Sequence, residues 1–121
     1  MKSLIKILLL LVITLSSTAF GDDALAEYKK GDYKTAMKLW RPMAEQGYAG
    51  AQYALGVMYD NGEGVPEDKV LAYMWWNLVA ANGDEDASTN KGIIAKRMTS
   101  SQIAEAQKLS RECLRKNYKN C

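Results

Sequence analysis

The sequence contains no histidine among its 121 residues. That removes the usual general base, the commonest metal ligand and the side chain that titrates near neutral pH. Ser–His and Cys–His nucleophilic chemistry goes with it. Cysteine is scarce: Cys113 and Cys121, eight positions apart, are the only two. Neither follows the apolar run near the start, which argues against lipid attachment there. Long apolar runs are also missing. The stretch Ile7 to Leu15 has nine residues, against about 20 for a bilayer-spanning helix. No segment reads convincingly as a β-strand.

What stands at the start is a short basic head (Met1, Lys2, Lys6), that apolar run, then the small residues of "SSTAFG" before an acidic Asp22. This is the three-part pattern of a secretory signal peptide over residues 1–21, cleaved after Gly21 or Ala19. An uncleaved anchor is the alternative, and the run is short for it. Of 16 Lys and Arg, two leave with the leader, so 14 face 14 Asp and Glu. Residues 22–90 carry 6 basic and 12 acidic groups, and residues 91–121 carry 8 basic with only Glu105 and Glu112. An acidic body with a basic end fits head-to-tail contact or an anionic partner for the end. Ordinary complementation of a helix dipole is the other reading. Export and the acidic body disfavour nucleic acid.

In an exported protein two cysteines suggest a disulfide. On one unbroken helix their Cα atoms would lie about 12 Å apart, too far to bridge. Pairing of Cys113 with Cys121 therefore needs the helix to stop near Lys116 or Asn117, and Asn117 is a plausible left-handed stop. Such a loop would stabilise by roughly 2–3 kcal/mol. Free or partner-linked thiols are the alternative.

A shift of 36 positions superimposes Asp32 on Asp68, Ala36 on Ala72, Trp40 on Trp76, Ala44 on Ala80, Gly47 on Gly83, Ala51 on Ala87 and Gly56 on Gly92. Self-similarity at this period signals stacked helix pairs. Asp caps a helix start. Ala, Trp and Ala follow at i+4 steps along one ridge, and Gly ends the helix. The expected helices cover about 23–30, 32–46, 49–60, 67–82, 85–97 and 99–116. Pro42 falls inside the second and predicts a kink there, since the repeat phase continues across it. Thr99 to Gln102 has the form of a capping box.

Between the third and fourth helices lies "DNGEGVPED", Asp60 to Asp68. Read as a calcium loop from Asp60, its third and fifth positions are Gly62 and Gly64 and its twelfth is Leu71, so the ligands are wrong. A Walker-type Gly-Lys-Ser/Thr is absent. A corner explains the residues better: glycines for left-handed backbone, Val65 tucked onto the core, Pro66 at the helix entry, and Glu67 and Asp68 at its positive end.

The stretch Ala51 to Asp84 resembles the Sel-one-like repeat, a relative of the tetratricopeptide repeats. The matching residues are Ala51, Leu55, Gly56, Tyr59, Gly62, Gly64, Val65, Asp68, Ala72, Trp75, Trp76, Ala80, Ala81 and Gly83. Lys30 to Gly47 resembles the second half of a preceding unit. The unit after Ala87 departs from the pattern, with Lys91 where Leu is expected and no Gly-Val corner. The reading is therefore a full repeat at about 48–84, a partial one at 24–47, capping helices at 85–117 and a tail at 118–121. The resemblance implies an all-α, right-handed α–α superhelix of antiparallel pairs, about six helices in all. It also implies a protein or peptide partner and no cofactor.

A cysteine-rich branch of that family is linked to β-lactam binding and hydrolysis, and Ser88 with Lys91 forms a Ser-x-x-Lys here. Neither partner motif of that chemistry accompanies it. The motif residues are structural, and no metal site is expected. In related stacks the first helix of each pair faces the concave side, which makes Gln52 and Tyr53 the groove candidates. The role expected is an adaptor or scaffold in a bacterial envelope. A β-lactam enzyme and a toxin-neutralising protein are the alternatives.

Overall fold

The computed structural model describes residues 21–121, so the expected leader lies, Gly21 apart, outside the described residues. Residues 21–30 are helical (α1). Five helices follow: α2 (Tyr33–Glu45), α3 (Ala49–Asn61), α4 (Lys69–Ala81), α5 (Glu85–Ala95) and α6 (Ser100–Arg115). Among the described residues there is no strand. Short connections make successive helices antiparallel, and the pairs stack as a right-handed α–α superhelix. None of these helices is long and apolar enough to cross a membrane.

The repeat period reappears as chemistry. Asp32 caps α2 by accepting from the Thr35 N–H, and Asp68 caps α4 by accepting from the Leu71 N–H. Asp84 does the same for α5 through Ala87. The expected fourth helix started at Glu67; it starts at Lys69, because Asp68 is the cap and sits in extended backbone. Pro66 therefore belongs to the corner and not to the first turn. Thr99 and Gln102 make both bonds of the capping box. The helix α2 runs through Pro42 without ending.

α4 is the shared wall of the fold and packs on α3, α5 and α6. One side (Met74, Trp75, Leu78) closes a core with Met37 and Trp40 of α2, Leu55 and Met58 of α3, and Cys113 of α6. The other (Ala72, Tyr73, Trp76, Val79) closes a second core with Ala87 and Ile94 of α5 and Ala106 of α6. A helix buried all round must be apolar all round. Trp75 and Trp76 are successive residues and so serve opposite cores. Each indole removes about 200 Å² from water, roughly 5 kcal/mol of transfer free energy.

Gly56 explains how α3 and α4 approach so closely. A Cβ there would lie 2.4 Å from Nε1 of Trp76. The same nitrogen donates to the Tyr53 carbonyl at 3.2 Å. At the corner, Gly62 ends α3 in left-handed backbone (φ 67°). A Cβ on Gly64 (φ 74°) would be 2.8 Å from the Tyr33 carbonyl, so the corner is pressed against the start of α2.

Beyond α6 the chain turns back. Asn117, Tyr118 and Asn120 all have positive φ (51°, 65° and 56°). The turn brings the Cα atoms of Cys113 and Cys121 to 5.5 Å, and the two are bonded. Residues 118–121, expected as a separate tail, pack on the body instead. The Tyr118 ring lies 3.5 Å from where a Cβ of Gly47 would stand, and Lys119 Nζ donates to the Glu45 carbonyl at 2.8 Å. A cation at the carbonyl end of α2 is favourably placed for its dipole.

Two results are expected in denaturant titration. Gly56→Ala destabilises by about 2 kcal/mol through overpacking against the indole. Gly92→Ala, at the equivalent repeat position, finds open space and stabilises by roughly 0.5–1 kcal/mol, since Ala is the better helix former. Equal signs for the two would contradict the packing described. Replacing both cysteines by Ala costs roughly 2–3 kcal/mol, and hydrogen exchange should show the 116–121 amides losing protection before the helices do.

Candidate functional site

The first helices of successive pairs, α3 and α5, present an open pocket of about 160 Å³ with α4 as its floor, lined by Val57, Asp60, Trp76, Asn90, Ile93 and Arg97. Val57 and Ile93 are 36 positions apart, the same place in two units. They flank the indole of Trp76, itself 3% exposed. Ile93 is 52% exposed, unusual for a large aliphatic side chain. The middle of the pocket is thus apolar, and its two ends are polar.

At one end the Asn90 amide donates to the Tyr53 hydroxyl at 2.8 Å. The Tyr53 ring stands 6.3 Å from that of Trp76, tilted by 44°. At the other end Asp60 lies 3.6 Å from Lys69 Nζ and 3.8 Å from Arg97 Nη2. Among the described residues its buried Oδ1 receives no direct hydrogen bond. Lys69 also donates to Glu67 at 2.7 Å, which holds the Glu67 carboxyl below its ordinary range. One end is therefore fixed by a hydrogen bond between α3 and α5, and the other is set by ion pairs of Asp60 with Lys69 and Arg97.

Of the two expected groove residues, Tyr53 reaches this pocket only through its bond to Asn90, and Gln52 does not reach it. Gln52 is 1% exposed, and its amide donates to the Ala44 carbonyl at 3.0 Å, pinning α3 to the end of α2. It is a packing residue, and the groove assignment is corrected accordingly. Sequence reasoning missed Asp60, Asn90, Ile93 and Arg97. The period could have found Ile93 from Val57. The Asp60–Arg97 pair has no local signal.

The four carboxylates of the corner all have structural work. Asp60 faces two cations, Glu67 pairs with Lys69, Asp68 caps α4, and Glu63 accepts from Tyr28 Oη through both oxygens, at 2.9 and 3.0 Å. Tyr28 also touches the rings of Tyr33 and Trp40, at 5.1 and 5.6 Å between centroids. Burial, then the bond to Glu63, pushes its hydroxyl up to about 12. Tyr59 is held in turn by Arg41, whose Nη2 donates to its hydroxyl at 2.8 Å.

Ser88 is exposed on α5. Lys91 is turned towards α4, where Nζ donates to Asn77 Oδ1 at 3.2 Å and sits 5.9 Å over the Tyr73 ring. Among the described residues no hydrogen bond joins Lys91 to Ser88, so the pairing that nucleophile activation requires is not made.

Stacked antiparallel helix pairs with capping aspartates at a period of 36 and a glycine corner between two of the helices define a helical-repeat solenoid. The Sel1 repeat model matches residues 24–48 and 49–84, and the chain belongs to the Sel1 repeat family. Two curated relatives are named exopolysaccharide production negative regulator. The one from Rhizobium leguminosarum bv. viciae is 33% identical over 60% of this chain and 27% of its own length. The one from Rhizobium meliloti is 35% identical over 54% of this chain and 24% of its own. A crystal structure of a protective antigen of uropathogenic Escherichia coli strains, described as displaying an SLR fold, is 31% identical with a TM-score of 0.76. It covers 84% of this chain, which covers 23% of it. The chain thus spans about a quarter of the length of these relatives.

Tyr28 offers a pH test with a definite sign. Its folded-state pKa lies above the unfolded value of about 10, so its contribution to stability is complete below pH ~10 and is lost as pH rises towards 12. In an absorbance titration of the phenols, Tyr28 should titrate late in the native protein, with Tyr33 raised too by the same Glu63 carboxylate, and Tyr28→Phe should remove a late step. Loss of an ordinary phenol step instead, with the late part of the curve unchanged, would show that Tyr28 is neither buried nor bound to Glu63.

Proposed function

We propose that the protein is an exported adaptor that holds a protein or peptide segment in the groove between α3 and α5. The observation that carries this reading is the pocket itself: an apolar centre of Val57, Trp76 and Ile93 between two polar ends, one held by the Asn90–Tyr53 bond between helices and the other by the ion pairs of Asp60. Prefixed side chains reduce the ordering cost of binding. A half-exposed aliphatic residue beside a buried indole is the kind of anchor position that dominates peptide interfaces. Export is supported by the leader pattern and by the Cys113–Cys121 bond, which belongs to oxidising compartments. The Rhizobium relatives are named as negative regulators, and a regulatory role is compatible with a protein that acts by binding.

The test is crosslinking in cells from a photoreactive residue placed at Thr89, exposed on α5 one turn from Ile93, with capture compared between the parent and Ile93→Glu. A single discrete envelope protein is expected from the parent. Capture should fall at least about tenfold in Ile93→Glu, the loss of one anchor side chain, with the thermal midpoint unchanged because the side chain faces solvent. Undiminished capture in that variant would sink the groove reading.

A further inference from the structure

The outer side of α6 carries cations that the contacts above leave unused. Lys108, Arg111 and Arg115 are all exposed. Their spacing of three and four places them on one face, in a row about 10 Å long. The helix's two carboxylates, Glu105 and Glu112, flank one edge of that row, roughly 65–90° from its centre, and leave the other edge free of acid. Among the described residues none of the three cations is in an ion pair. The helix dipole accounts for one of them only, since Arg115 is the single basic residue of the last turn. Leu114 borders the row one turn from Arg111 and is 50% exposed. The helix cannot roll to hide this face. Its other side is buried against α4 through Ala106, Ser110 and Cys113, and Ser110 Oγ reaches the Met74 carbonyl of α4 at 3.4 Å.

We propose that this face of α6 docks on the anionic headgroups of a phospholipid surface. Unpaired cations in a row match a sheet of negative charge. Leu114 at their margin supplies an apolar group that the headgroup layer can bury and a soluble polyanion cannot. Each basic side chain near such a surface contributes roughly fivefold in affinity, so the association is reversible and sensitive to salt. It leaves the groove between α3 and α5, on other helices, free for its own partner. The acidic corner Asp84–Asp86 of a second copy would also match the charge, and the experiment separates the two.

The purified protein, disulfide intact, is sedimented with vesicles of phosphatidylcholine alone and with vesicles containing phosphatidylglycerol. Binding is expected only to the second kind and should be released by high salt. The triple variant Lys108→Glu, Arg111→Glu, Arg115→Glu should lose at least about a hundredfold, the product of three such factors. Leu114→Ser should lose several-fold with its charge unchanged. Because all four side chains are exposed, circular dichroism of the variants should match the parent. Equal binding to both vesicle types would overturn the proposal, as would full binding by the triple variant or insensitivity to Leu114→Ser. Salt-sensitive self-association without vesicles, abolished by the triple variant, would also overturn it and assign the face to a second copy.

Discussion

The seat of Trp76 on Gly56 is the contact on which the architecture turns. Without a side chain at position 56, the Nε1 edge of the indole reaches the backbone of α3 and its N–H donates to the Tyr53 carbonyl. That sets the separation of α3 and α4. It also aims Trp75, one residue earlier, into the opposite core, so one helix seals two cores at once. The floor of the groove is the same indole. Fold and candidate site therefore rest on one contact, and a change at Gly56 should be felt in both.

The polar groups around that core act as fasteners. Glu63 is bound to Tyr28, Arg41 to Tyr59, Asn90 to Tyr53 and Lys91 to Asn77. Each bond joins different helices or a helix and the corner, and each removes a side chain from chemistry it could otherwise do. A rigid concave face with prefixed ends suits recognition, because the ordering of its side chains is settled before a ligand arrives. Residues 116–121 add a strap. Left-handed backbone at Tyr118 is uncommon for a bulky residue, and here the disulfide, the Tyr118–Gly47 contact and the Lys119–Glu45 bond hold it together.

Much of this was legible in the sequence for a physical reason. Caps, close approaches and corners each need a particular residue type, so the period of 36 carried Asp32, Asp68 and Gly56 into their observed roles, and the local chemistry of Asp60 to Asp68 carried the Gly62–Gly64 corner. The site was less legible. Gln52 and Tyr53 are neighbours in the chain but point about 100° apart on a helix, and that rotation buries one and leaves the other at the groove. Asp60 and Arg97 meet only because α5 stacks on α3, a distance that no local pattern encodes. The strap was half visible: Asn117 suggested a left-handed stop, while positive φ at Tyr118 has no residue-type signal.

A double-mutant cycle between Gly56 and Trp76 tests the central contact most directly. If the indole is what a side chain at position 56 collides with, changing Gly56 to Ala in a Trp76→Leu background should bring only the helix-propensity gain of Ala, leaving a coupling of at least about 1 kcal/mol between the sites. Free energies that simply add, within about 0.5 kcal/mol, would show that the two residues are independent. The account of how the helix pair closes would then be wrong.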